Sequence, residues 1–151
     1  MKVLFDTNVI LDVMLDREPF AIASAMLLSK VETGEILGFL GATTVTTIHY
    51  LTTKVIGTEQ AQHEIKKLIT LFEIAPVNRT VLEGAITLKF PDFEDAVLHE
   101  AARHVGAQAI VTRDISGFKR ATLAIYSPEE LIKMIKAVES CERRKTKDDL
   151  D

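Results

Sequence analysis

Apolar positions along this chain come in short runs that switch between two spacings. Val3, Leu4 and Phe5 form a continuous run that predicts a buried strand over residues 2–6. Ile10, Val13 and Met14 then recur on one helical face of residues 8–15. "PFAIASAMLLSKVET" runs at helical spacing to Gly34, with Pro19 in the first turn where helices favour proline. "EILGFLGA" predicts a short strand. "TTVTTIHYLTTKVIG" is rich in β-branched residues, yet Val45, Ile48, Leu51 and Thr52 repeat at helical spacing and its length favours a helix. "TEQAQHEIKKLITLF" is amphipathic, with Thr58 as its cap, and the strand "EIAPV" follows. Asn78 or Thr80 can cap a helix reaching about Lys89. "PDFEDAVLHEAARHVG" predicts another, acidic in its first turn and followed by Gly106. "AQAIVTRD" and "LAIYS" read as strands, and Pro128 starts the last helix, "PEELIKMIKAV".

Short apolar strands alternating with helices predict one α/β domain over residues 1–138, its parallel sheet covered on both faces. The remainder, residues 139–151, "ESCERRKTKDDLD", lacks apolar periodicity and is expected to be a charged, frayed tail.

Composition narrows the function. A chain of 151 residues with 47% hydrophobic residues fits a single domain. Such a domain buries roughly two-thirds of its unfolded surface. The net charge of -4 excludes a broad basic footprint for nucleic acid, so binding of that kind must rest on local patches or metal ions. Cys141 has no intrachain partner, which suits a reducing cytoplasm. No window approaches the ~20 apolar residues of a membrane helix, and Asp6 comes too early for a signal peptide. The expectation is a soluble cytoplasmic protein with no membrane segment.

The chemistry gathers at strand ends. Asp6 closes the first strand, and Thr112, Arg113 and Asp114 close "AIVTRD". Ligands of open α/β sheets bind outside the carboxyl ends of the strands. Asp95 opens the helix before "AIVTRD", and Asp92 lies three residues earlier, on the same face if the helix reaches that far. Asp92, Glu94 and Asp95 equally suit a helix dipole, Asp6 suits a cap, and Asp114 a turn. Three clustered carboxylates repel one another unless a cation intervenes. Hard divalent ions take such oxygen ligands together with substrate phosphate.

"VLFDTNVILD", "DFEDAVLHEAARHVGAQAIVTRD" and "YSPEEL", in that order, resemble a PIN-domain protein over roughly residues 2–138. The resemblance implies a three-layer α/β/α sandwich with a central parallel sheet. It also implies Mg²⁺- or Mn²⁺-dependent endoribonuclease activity on RNA, as in VapC-like toxins of toxin–antitoxin pairs, with an antitoxin protein as partner and a homodimer as the frequent assembly. By position, Asp6, Asp95 and Asp114 match the acidic metal ligands, and Asn8 and Thr112 match supporting polar positions. Two departures stand out. On the helix where the family usually carries a glutamate, His49 is the nearest polar candidate. After Asp114, "DISGF" carries Ser116 and Gly117 where many members have a further acid. His49 is either a ligand for Mn²⁺ or Zn²⁺ or a packed side chain, and Asp92 is a candidate substitute acid. Arg113, Lys119 and Arg120 are candidate phosphate contacts, or solvated charges. His63, His99 and His104 read as surface or packing residues.

Two other classes remain in view. One is an RNA-binding or partner-binding module with a degenerate site. The other is a phosphoryl-transfer enzyme with an aspartate nucleophile, against which Asn8 stands where a second aspartate is needed.

Overall fold

The computed structural model describes residues 1–150. Five parallel strands form one sheet in the order β3-β2-β1-β4-β5: β1 Lys2–Phe5, β2 Leu37–Gly41, β3 Glu73–Ala75, β4 Ala109–Val111 and β5 Ala124–Tyr126. Among the described residues seven α-helices cover it: α1 Thr7–Met14, α2 Ala21–Glu32, α3 Ala42–Ile56, α4 Thr58–Leu71, α5 Arg79–Thr87, α6 Phe93–His104 and α7 Pro128–Asp148.

The layers follow from the alternation of side chains along each strand. Val3 and Phe5 point to one face, where they pack with Val9 and Ile10 of α1, Leu27 of α2, Ile48 of α3 and Leu131 of α7. Leu4 and Ile110 point to the other and meet Val81 and Ala85 of α5 and Ala96, Val97 and Ala101 of α6. This is the three-layer α/β/α sandwich with a parallel sheet that the sequence predicts.

Chain order reverses at β1. β2 and β3 lie on one side of it, and β4 and β5, which come later in the chain, lie on the other. The two central strands therefore diverge into different connections at their carboxyl ends, and a crevice opens there. The Asp6 amide still donates to the Val111 carbonyl at 3.0 Å, so the residues just past β1 and β4 remain side by side.

Three boundaries differ from the sequence reading. Pro19 lies in the turn before α2, which begins at Ala21. Gly57 occupies the cap position of α4 and Thr58 is its first helical residue. The expected tail over residues 139–151 is placed differently: α7 continues through Asp148, with residues 140–148 exposed, and residue 151 lies outside the described residues. "ESCERRKTKD" contains neither Gly nor Pro and is rich in good helix formers, so nothing stops the helix even without an apolar face. Glu129 and Glu130 in its first turn and Lys145 and Lys147 in its last complement the dipole.

Gly38 in β2 marks where a helix end crowds the sheet. A Cβ there would lie 2.6 Å from Phe72 Cε1 and 3.1 Å from Val31 Cγ2. Phe72 cannot retreat, because it meets Phe5 edge-on with ring centroids 5.1 Å apart. Gly38→Ala is expected to cost about 1–3 kcal/mol by overpacking. Urea unfolding should give a lower midpoint at unchanged slope.

Candidate active site

The crevice at the strand ends is a cleft of about 330 Å³ whose lining includes Asp6, Asp92, Asp95 and Asp114. Asp6 is 7% exposed. Its Oδ1 caps α1 by accepting from the Thr7 amide at 2.7 Å, and its Oδ2 accepts from Thr112 Oγ1 at 2.8 Å and Asn8 Nδ2 at 3.4 Å. Thr112 Oγ1 also accepts from the Asp114 amide at 3.0 Å, and Asn8 Oδ1 accepts from the Arg113 amide at 3.1 Å. Asn8 and Thr112 thus knit the ends of β1 and β4 together and hold Asp6 in one orientation.

Asp92 is the N-cap of α6, its Oδ1 accepting from the amides of Glu94 at 2.8 Å and Asp95 at 3.3 Å. The capping role weighed for Asp92 is therefore filled, and it lines the cleft as well. Asp95 follows in the first turn. A helix N-terminus favours a carboxylate by about 0.3–1 kcal/mol. Even so, burial and then the charges of Asp6, Asp92, Asp114 and Glu94 push Asp95 up to about 7. Asp6 is raised too, chiefly by burial and further by Asp114 and Asp92, while its bonds from Thr112 and Thr7 hold it down. Asp114 Oδ1 accepts from Ser116 Oγ at 2.7 Å.

Gly117 completes this geometry. A Cβ at that position would lie 2.7 Å from Asp95 Oδ2 and 3.2 Å from Asp114 Oδ2, so the two carboxylates flank a space that any other residue would fill. The donors here are carboxylate oxygens, the chemistry Mg²⁺ and Mn²⁺ require. Among the described residues no three His, Cys, Asp or Glu groups converge on a single point. On donor type, mutual repulsion and the space at Gly117, these residues fit a divalent ion.

Other candidates fall elsewhere. α3 turns Thr47 into the cleft and not His49. Two residues rotate about 200° around a helix, so the imidazole faces away from the acids. The Thr47 hydroxyl donates to the Thr43 carbonyl at 3.2 Å. Lys119 is exposed outside the lining, and Arg120 Nη1 donates to the Lys89 carbonyl at 3.1 Å. Arg113 does line the cleft, but Asp12 holds it through Nε at 2.6 Å and Nη2 at 3.1 Å. His99 packs in the core, where Nε2 accepts from the Thr122 amide at 3.0 Å.

Sequence reasoning missed Asp12, Arg17 and Thr47. The signal for the first was present: a carboxylate inside the apolar run "VILDVML" needs a cation if it is buried.

A parallel three-layer α/β protein with several acids in the crevice at its switch point carries its candidate site where ligands of such sheets bind. The chain belongs to the PIN-domain family, whose sequence profile matches residues 2–116. It is 28% identical over 150 residues to Ribonuclease VapC1 of Aquifex aeolicus (strain VF5), covering 96% of each chain. Its fold is similar to FitAcB from Neisseria gonorrhoeae, with a TM-score of 0.66 and 20% identity over 83% of this chain and 97% of that one. A toxin–antitoxin complex from Klebsiella pneumoniae matches with a TM-score of 0.65 and 17% identity over 83% of this chain and 97% of that one. No helix among the described residues is long and apolar enough to cross a membrane.

Proposed function

We propose that this protein is an endoribonuclease that hydrolyses RNA phosphodiesters with Mg²⁺ or Mn²⁺, and that Asp6, Asp95 and Asp114, with the second oxygen of Asp92, hold the ion. The observation that carries this reading is the placement of three carboxylates from three distant segments in one cleft, where burial and then the neighbouring acids lift Asp95 to about 7. The bound ion supplies an activated water and charge stabilisation for in-line displacement. Thr112, Asn8 and the Thr7 amide orient Asp6, Ser116 orients Asp114, and the α6 backbone orients Asp92. Asp95 holds much of its proton at neutral pH, so ion binding releases it and strengthens as pH rises.

Incubation of folded protein with RNA and Mg²⁺, Mn²⁺ or EDTA tests the proposal, with Asp6→Asn as the control for a contaminating nuclease. Cleavage that requires metal and is lost in the variant supports it. No cleavage of any RNA in any metal sinks it. Turnover of a chromogenic phosphate monoester would point instead to phosphoryl transfer.

The same reading makes the protein the toxin of a toxin–antitoxin pair, neutralised by an antitoxin protein and assembled as a homodimer. Its support is the relatives' names together with the exposed apolar side chains Ile22 and Met26 of α2 and Tyr50 and Val55 of α3. Sedimentation of the isolated chain tests the dimer.

Thr47 favours a second reading, an RNA-binding or partner-binding module with weakened catalysis. It puts a hydroxyl, already bonded to Thr43, at the place where α3 meets the acids. Calorimetric titration with Mn²⁺ separates the two, since a bare module binds little metal. Thr47→Glu adds a carboxylate and is expected to tighten Mn²⁺ binding by about tenfold, because affinity follows the number of charged ligands. An unchanged isotherm would show that this helix position does not reach the ion.

A further inference from the structure

Resting on the RNA-cleaving reading, we infer that Arg17 and Arg113 bind a backbone phosphate of the substrate strand beside the one being cut, and that Asp12 is the positioning residue that holds both guanidinium groups. Asp12 lies on α1 one turn past Asn8, and its side chain is fully buried. Such a carboxylate needs cations, and it has two. Arg113 bonds it side-on through Nε and Nη2, at 2.6 and 3.1 Å. Arg17 Nε approaches Asp12 Oδ1 to 2.9 Å, an ion pair whose alignment is too poor for a hydrogen bond.

Both arginines are fixed from further sides. The Arg113 guanidinium carbon lies 3.9 Å from the centroid of the Phe20 ring, a cation–π stack. Arg17 Nη2 donates to the Asn8 carbonyl at 3.4 Å, and the Arg17 side chain remains 39% exposed. Asn8 in turn bonds Asp6, and Arg113 is the chain neighbour of Asp114, so the pair stands directly beside the acids.

The pairing pattern gives this arrangement its meaning. Among the described residues Arg17 and Arg113 are the only cations lining the cleft, and five carboxylates line it with them. If the arginines served to neutralise that cluster, they would pair with Asp6, Asp95 or Asp114. They pair with Asp12 instead, behind the cleft wall, and two positive charges on one anion leave one in surplus. Arginine held in a fixed plane is suited to phosphate, and its ordering is complete before the ligand arrives. The acids alone would repel an RNA strand, and this pair gives its phosphates a counter-charge.

The test is binding of a fluorescent single-stranded RNA by anisotropy over a range of KCl, with Ca²⁺ in place of Mg²⁺, on variants shown by circular dichroism to be folded. Loss of one phosphate contact lowers the slope of log K against log salt by about 0.7 for a single strand. Arg17→Gln should show that drop, and Arg17→Lys should restore most of the slope with weaker binding. Asp12→Asn separates positioning from bulk charge. Removing a negative charge beside the cleft tightens RNA binding if charge alone matters, whereas releasing both arginines weakens it, and weakening is expected.

Tighter or unchanged binding by Asp12→Asn, an unaltered slope for Arg17→Gln, or no RNA binding by the wild type each overturns the inference. If Asp12→Asn does not fold, the two Arg17 variants decide. Metal-dependent cleavage with unaltered slopes sinks this inference alone. Slopes that change as expected, with no cleavage in any metal, sink the nuclease reading and leave the phosphate site standing.

Discussion

Asp95→Asn is expected to lower metal-dependent RNA cleavage by about two to three orders of magnitude, since metal-borne charge stabilisation is worth several kcal/mol. The same change should stabilise the metal-free protein at neutral pH and above. In the folded state burial and four neighbouring acids raise this carboxyl from 3.8 to about 7. Between those two values the folded state binds more protons than the unfolded one, so wild-type stability falls as pH climbs from about 4 to about 7. Asp95 is half-buried, and solvent screening reduces the contribution to about 1–2 kcal/mol. Asparagine cannot ionise, so denaturation in EDTA should show a flatter pH profile and a higher midpoint at pH 8. Added Mn²⁺ should raise the wild-type melting temperature more at pH 8 than at pH 5, and the variant's much less. Lost activity with raised stability marks a functional acid. Lost stability at pH 8 would show that Asp95 serves the helix and not a metal.

How far these positions could be read in advance depended on how local their causes are. Asp6 was legible because a carboxylate between two apolar runs demands an explanation within a few residues. The switch point was not, because strand order follows from which helices cross which face of the sheet. The sequence nevertheless placed Asp6 and Asp114 at strand ends, and with β1 beside β4 the two segments meet. The α3 residue facing the acids was not legible, for a physical reason. The helix's buried stripe is Thr44, Ile48 and Thr52, two of them threonines, so apolar periodicity could not fix the rotation. His49 was therefore the nearest polar candidate, while Thr47 is the α3 residue that lines the cleft. Arg113 looked free because its partner, Asp12, lies 101 residues earlier. For residues 139–148 the missing apolar face drew the attention, and helix propensity without a breaker decided the outcome.

Gly117 marks where the site's chemistry depends on an atom that is not there. Gly117→Ala is expected to reduce RNA cleavage by about a hundredfold, the scale of a misplacement of roughly 1 Å at a catalytic group. The new Cβ would stand 2.7 Å from Asp95 Oδ2 and 3.2 Å from Asp114 Oδ2, so Asp95 must swing away and Asp114 must give by a few tenths of an ångström. The backbone at Gly117 is not in the left-handed region, so alanine is tolerated there without strain. Asp95 and Asp114 can give way at the ends of their side chains, and the stability change should stay within about 0.5 kcal/mol. The expected signature is therefore a weaker Mn²⁺ isotherm and slow cleavage in a protein of nearly wild-type unfolding midpoint. If the ion is held by Asp6 and Asp92 without Asp95 or Asp114, alanine leaves its binding unchanged. Comparing the Mn²⁺ dissociation constants of Gly117→Ala and Asp95→Asn reads out that distinction, because an ion held by Asp95 is weakened by both changes and an ion held without it by neither.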